Sequence, residues 1–464
     1  MPLVSSAQEY LQTQGAIFQV ITCPAFNSLY QTAQTITEFA GKVVRATLLE
    51  TNAGPLMAIL PCDRILDIDA LSARLACDVR PASVQFFAQH FTDCDPRFIP
   101  ALPQAYAVQA IVDDSVCSLD HFYLASGDNV SLLALESAVA GVIWRDVWHG
   151  NFARRCATLI RADLDYDAQT EASQQRSPTA NQLRHRIQAL NDLPAMPAMA
   201  QQLLRLRMNP QASSEDLAKI IELDPSLATQ VVSYAGSAYY GYLGNIHSIR
   251  DAITRVLGFD MVMNMALGLA IGKTISIPTL GPLGLNAYWL NAVSSAALAE
   301  CLAKKMPRRH GVLPGMAYLA GLLHDFGYLL LGHVFKPGFH QLNRLATFNP
   351  ELPLQDLETH VLGVRHDQLG AWLMRSWDMP NELTVATRWH HATNYQGEHA
   401  GYQRVVALVD KLLALNALET AHASEIDPAL LATLGLSRGQ ALSALQAIID
   451  ARPGLEQLAM QLAA

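Results

Sequence analysis

Over residues 163–181 the chain reads DLDYDAQTEASQQRSPTAN, rich in Gln, Ser and acidic side chains and without any hydrophobic period. Such a stretch cannot bury enough apolar surface to offset the entropy of ordering it, so it divides the chain into separate bodies. Before it, apolar residues alternate in the manner of strands; after it they recur at helical spacing almost to the end. The expected architecture is multidomain: an α/β domain over 1–160, a linker over 161–185, and an all-α region over 186–464. A length of 464 residues agrees, since single cores seldom grow past roughly 250–300 residues.

In the first half, VVRATLLE (43–50), the turn TNAG (51–54) and PLMAILP (55–61) form a predicted hairpin. AVQAIVDD (107–114) and HFYLASGD (121–128) are further predicted strands. In the second half, Ser213 followed by Asp216 approximates a capping box, and Asp224 with Pro225 starts another helix. His366, Leu369, Gly370, Leu373 and Trp377 fall on one helical face, so His366 points where the apolar residues point.

A composition of 51% hydrophobic and 16% charged residues is globular, and a net charge of −9 argues against binding nucleic acid by bulk charge. The cluster Lys304, Lys305, Arg308 and Arg309 is the best candidate for a basic patch, read first as the solvated end of a helix. Seven scattered cysteines without a CxxC pair fit a reducing compartment. MVMNMALGLAI (261–271) is too short for a membrane span and carries Asn264. The protein is expected in the cytoplasm, away from membranes.

The segment GLLHDFGYLLL (321–331) sets His324 beside Asp325 inside an apolar run. A buried carboxylate must find a cation, strong hydrogen bonds, or a proton. Adding His366, the doublet His390–His391 and Asp410 gathers imidazole and carboxylate donors from several helices, which suits one divalent first-row ion such as Fe, Mn or Zn. The same six residues could instead form a hydrogen-bonded polar core without metal. Both readings stay open on spacing alone.

At this point the motifs resemble a known family. LPAMPAMAQQLL (193–204), DPSLATQVV (224–232), NIHSIRDAITRVLGF (245–259), LLHDFG (322–327), GVRHDQLGAWLMRSWDMP (363–380) and RWHH (388–391) are similar, in order, to the HDOD domain. That family is a helical relative of the HD phosphohydrolases and HD-GYP phosphodiesterases, and it is viewed as regulatory. The resemblance maps His324 and Asp325 onto the HD metal pair, and His366, His390, His391 and Asp410 onto later ligands. It also exposes departures: Asn291 stands where active relatives have another histidine, Tyr328 replaces a lysine, and Gly401–Tyr402–Gln403 replaces a GYP loop.

The first half resembles the YbaK and prolyl-tRNA-synthetase-associated domain, an α/β fold that deacylates mischarged tRNA. The resemblance rests on VVRATLLE, GPLMAILPCDRILDIDALSARL (54–75), DCDPRFIPALPQAYAVQAIVDDSV (93–116) and FYLASGDNVSLL (122–133). Arg45 stands at the family's functional lysine, with Lys42 offset onto the opposite face of the strand, and Arg97 and Pro103 stand where glycine is usual. The resemblance therefore implies a degenerate editing module with no catalytic residue. Together the two halves imply a signalling protein that binds a partner protein, with a nucleotide or tRNA as candidate ligands. The alternatives are an HD-type metal-dependent phosphohydrolase, or an aminoacyl-tRNA deacylase or tRNA-binding module.

Overall fold

The computed structural model describes residues 4–26, 28–155, 195–236, 240, 242, 244, 246–272, 277–279, 281–392, 394–417 and 426–463. The expected linker over 161–185 lies outside the described residues. The chain forms two compact units, one of Met1–Leu164 with Gln341–Val361, the other of Asp165–His340 with Leu362–Ala464.

The first unit is α/β. Its strands are β1 (Gln19–Thr22), β2 (Val43–Thr51), β3 (Gly54–Pro61), β4 (Arg64–Leu66), β5 (Val79–Pro81), β6 (Gln109–Asp113), β7 (His121–Ala125), β8 (Ser131–Glu136), β9 (Trp148–Gly150) and β10 (Ala153–Arg155). Among the described residues, eight of them make one mixed sheet in the order β1-β8-β7-β2-β3-β6-β9, with β5 also on β2, while β4 pairs with β10. The predicted hairpin is present as the antiparallel pair β2–β3, whose ladder closes at Thr51 opposite Gly54.

Period-two patterning sends alternate residues to opposite faces of this sheet. Met57, Ile59, Val112, Phe122, Leu124 and Leu133 share one apolar cluster. On the other face, Leu49, Leu56, Ala58, Leu60 and Ile111 form a second cluster, and Val43, Tyr123, Ala125 and Leu132 a third. Arg45 lies between Val43 and Leu49 in the strand, so its side chain emerges between the second and third clusters.

The segment 341–361 was assigned to the helical half by sequence pattern, and here it completes the α/β unit. Phe348 joins the cluster of Leu49, Leu56, Leu66 and Phe152, and Asn349 bonds to the backbone of β4. Helical periodicity reports that the segment is helical, not which core it covers.

The second unit is helical. Both halves of the Ser213–Asp216 capping box form, and Asp224 accepts a hydrogen bond from Leu227 N–H at 3.0 Å. Met261–Gly272 is buried throughout in the helix Phe259–Gly272, with Asn264 accepting from Arg207 at 3.0 Å. No helix of the described residues is long and apolar enough to cross a membrane. Lys304 pairs with the buried Glu300 at 2.7 Å near the end of Leu285–Lys305.

Candidate metal centre

The sequence pattern places His324 and Asp325 on one continuous helix, whereas the structure breaks the helix there. Pro314–Leu323 ends at His324, and Asp325 precedes the new helix Phe326–Val334. The physical reason is close packing against a helix farther along the chain. A Cβ on Gly327 would stand 1.9 Å from the His366 carbonyl oxygen, so only glycine lets the chain turn against the start of His366–Ser376.

That approach brings all six predicted residues together. His324 Nε2 lies 3.3 Å from Asp325 Oδ2 and 3.2 Å from Asp410 Oδ1. Asp325 Oδ1 lies 3.3 Å from His366 Nε2 and 3.6 Å from His390 Nε2. His366 Nε2 is 3.2 Å from His390 Nε2 and 3.1 Å from His391 Nε2. Two donor groups, His366–His390–His391 and His324–Asp325–His390, therefore share His390, with the donor atoms of each group within 4.8 Å of one another.

The orientation of the rings suits metal ligation. His324 donates Nδ1–H to the Gly321 carbonyl and His390 donates Nδ1–H to the Thr387 carbonyl, each at 2.7 Å. A carbonyl only accepts, so Nδ1 carries the proton and Nε2 faces the centre, the arrangement that fixes a ligating imidazole. His324 Nε2 is buried and makes no well-directed hydrogen bond, although carboxylate oxygens stand nearby. The inward-facing Nε2 atoms and carboxylate oxygens fit a divalent cation.

Burial would depress His324, but the carboxylates of Asp325 and Asp410 outweigh it and raise its pKa well above the ordinary value. Burial would raise Asp325, but His324, His366 and His390 hold it well below. Part of the His391 ring reaches the surface, yet burial around its inner side, with His390 and His366 beside it, holds it well below the ordinary value.

Supports around the centre were not legible in the sequence. Asp367 is fully buried and takes Arg365 through two bonds of 2.9 and 2.6 Å and Arg388 through one of 2.7 Å. This triad ties the start of His366–Ser376 to the end of Asn381–Trp389, and so sets His366 against the doublet. Gln403, the departure from a GYP loop, donates to the carbonyls of Trp389 at 3.0 Å and Ala392 at 2.8 Å and braces the doublet. Tyr328, at the lysine position, stacks on His366 with centroids 4.1 Å apart.

In the α/β unit, Arg45 is 2% exposed. It donates to Thr47 Oγ1 (2.8 Å), Arg64 O (3.2 Å) and Asn349 Oδ1 (2.7 Å), and pairs with the Glu351 carboxylate. Burial pulls its pKa down to about 10, which still leaves it charged at neutral pH beside that carboxylate. Arg97 forms a two-bonded pair with Asp95 (3.0 and 2.7 Å), Pro103 begins a buried turn, and Lys42 Nζ meets His121 Nε2 at 2.9 Å. Asn349 and Glu351 had no sequence signal, because Asn349 is separated from Arg45 by 304 positions.

The HDOD domain family matches residues 193–393, and the aminoacyl-tRNA editing domain family matches residues 23–140. A solved structure from Marinobacter aquaeolei VT8, provisionally assigned to signal transduction, is 30% identical over 100% of both chains, with a TM-score of 0.79. The chain belongs to the HDOD family. Its HDOD domain also shares the fold of an HDOD domain protein of unknown function from Geobacter sulfurreducens, which is 22% identical over 60% of this chain and 97% of that one, with a TM-score of 0.51. An uncharacterized protein of Treponema pallidum (strain Nichols) is 24% identical over 202 residues; the aligned part is 44% of this chain and 38% of that relative's length. His324, Asp325, His366, His390 and His391 lie within the stretch matched by the HDOD family and Asp410 lies beyond it, while in the editing-like domain internal partners occupy Arg45.

Proposed function

We propose that this HDOD protein acts in signal transduction by binding a partner protein, without hydrolysis, and that its centre holds one divalent ion of the Fe, Mn or Zn type. The observation that carries the metal reading is the crowding of His366 Nε2 against His390 Nε2 and His391 Nε2 at 3.2 and 3.1 Å. His390 has committed its one neutral-form proton to the Thr387 carbonyl, so its Nε2 presents a lone pair to His366 that either a proton on His366 Nε2 or a cation must meet. His324, Asp325, His366, His390, His391 and Asp410 would hold the ion. When bound, the ion would supply positive charge that ties these helices and, in hydrolytic relatives, Lewis-acid activation of water.

Two features support the non-catalytic reading. Asn291 offers an amide where active relatives offer imidazole, and Tyr328 offers a stacked ring where they often have a phosphate-binding cation. In the editing-like domain, the Arg45 guanidinium is already spent on internal partners. A cytoplasmic setting, and a nucleotide or tRNA as ligand, belong to this reading.

A second reading, an HD-type phosphohydrolase, draws on the two donor groups that share His390. Elemental analysis of protein purified without chelator, paired with assays on cyclic dinucleotides, nucleotides and aminoacyl-tRNA, separates the two. About one metal per chain without turnover is the expected result. Turnover abolished by His324→Ala would establish the second reading, and turnover abolished by Arg45→Ala would establish a deacylase. Metal-free protein that takes up no ion on titration would remove the metal centre.

A further inference from the structure

Arg45 lies buried on the sheet of the α/β unit, and what covers it is a loop of the same unit. Residues 349–353 (Asn-Pro-Glu-Leu-Pro) join the helices Lys336–Phe348 and Leu354–Leu362. Asn349 is fully buried, and its carboxamide is used completely. Oδ1 accepts from Arg45 at 2.7 Å and from Leu66 N–H at 2.8 Å, while Nδ2 donates to Leu345 O at 3.0 Å and, at 3.4 Å, to Leu66 O. The side chain thus reads the N–H and carbonyl of one β4 residue as a paired strand would. Glu351 adds a carboxylate on Arg45, and Phe348 fills the apolar cluster next to it. At the flanks, Tyr30 donates to Asp356 at 3.0 Å and Arg344 pairs with Asp69 at 2.6 Å.

These contacts have the composition of a recognition site: an apolar socket, a backbone edge read by an amide, and a buried cation read by an acid two residues on. The two prolines stiffen the loop and lower the entropy lost when it docks.

We propose that the Arg45 cleft is a peptide-recognition site for an aromatic-Asn-Pro-acidic turn, filled in cis by residues 348–351 and open to the same turn from another chain when the loop withdraws. The loop comes from within the stretch matched by the HDOD family, so the occupant is encoded by one domain and the socket by the other. Tethering gives the loop a high effective concentration, and an outside peptide competes poorly while it is seated.

The test uses the full chain carrying Phe348→Ala, Asn349→Ala and Glu351→Ala together, and a fluorescent peptide LATFNPELP, the sequence of residues 345–353. Amide exchange at Leu66 reports the cleft, and amides of the β2–β3 ladder report the fold. The variant is expected to lose Leu66 protection while keeping the ladder protected, to bind the peptide at least about tenfold more tightly than wild type, and to regain Leu66 protection with peptide bound. Equal peptide binding by both chains, or no binding by a variant with an intact ladder, would overturn the proposal. So would joint loss of ladder and Leu66 protection, because the loop would then be part of the fold and not an occupant. As a milder second variant, Glu351→Gln alone is expected to give partial opening and weak peptide binding. Full closure in that variant would remove the acid from the recognised motif.

Discussion

Asn291 Nδ2 donates a hydrogen bond to Asp325 Oδ2 at 3.1 Å, so the amide engages directly a carboxylate of the proposed metal centre. The bond holds Asp325 in place but contributes no lone pair to the centre, since an amide nitrogen is a donor only. Asn291→His should exchange that support for a ligand. Divalent metal affinity is expected to rise about tenfold, read by competition with a chromophoric chelator, with no gain of turnover because Tyr328 is unchanged. Unchanged affinity would show that position 291 lies outside the ligand shell.

The Asp367 triad predicts a large cost for a small change. Asp367 is buried with Arg365 and Arg388 on it, and Arg388 also stacks over Trp389 at 4.2 Å. Asp367→Asn leaves two guanidinium groups facing a neutral amide in a buried place, which costs on the order of 3–5 kcal/mol. The same change frees the His366 helix from the His390 helix. Thermal denaturation should show a lower midpoint for the helical unit, and elemental analysis should show reduced bound metal. A variant with wild-type midpoint and metal content would mean that the triad does not position the histidines.

The clustering His and Asp residues were legible and their supports were not, for reasons visible in particular residues. His324–Asp325 stood out because polar groups interrupt an apolar run, and His366 because it shares a helical face with Leu369 and Leu373. The strand pair β2–β3 was legible from alternation and a turn. The helix break at the HD pair was hidden, because 314–334 is apolar on all sides and periodicity does not register a kink between two buried segments. Arg365 and Arg388 carry no local pattern that points to Asp367 beneath them. The partnership of Arg45 with Asn349 and Glu351 is a long-range contact between residues that look unremarkable in their own local sequence.

Gly327 gives the sharpest test of the break. A methyl group there would meet the His366 carbonyl at 1.9 Å, which is backbone and cannot rotate away. Gly327→Ala should therefore push the two helices apart, at a cost of about 1–3 kcal/mol, and draw His366 Nε2 away from Asp325. The expected readout is a lowered thermal midpoint together with weakened metal binding. Substitution at Gly141, where an added Cβ meets nothing within 4 Å, should leave metal binding at the wild-type level and serves as the control.

Cys62 predicts how the Arg45 face behaves as pH rises. Its thiol is 1% exposed, and burial pushes its pKa up to about 12 although Arg45 nearby pulls the other way. An unfolded cysteine ionises near 8.5, so between roughly 9 and 12 the folded chain keeps a proton that the unfolded chain has released. The unfolded state binds fewer protons in that window, and stability must fall with rising pH through it. Below it, Cys62 contributes no pH dependence. At pH 8 the buried thiol should therefore resist iodoacetamide while exposed Cys117 is alkylated, as peptide mapping would show. The Cys62→Ala chain should lose less stability than wild type between pH 9 and 11. Rapid labelling of Cys62 at pH 8 in otherwise folded protein would show that this face of the sheet opens freely, and that its thiol is not held from solvent as its burial requires.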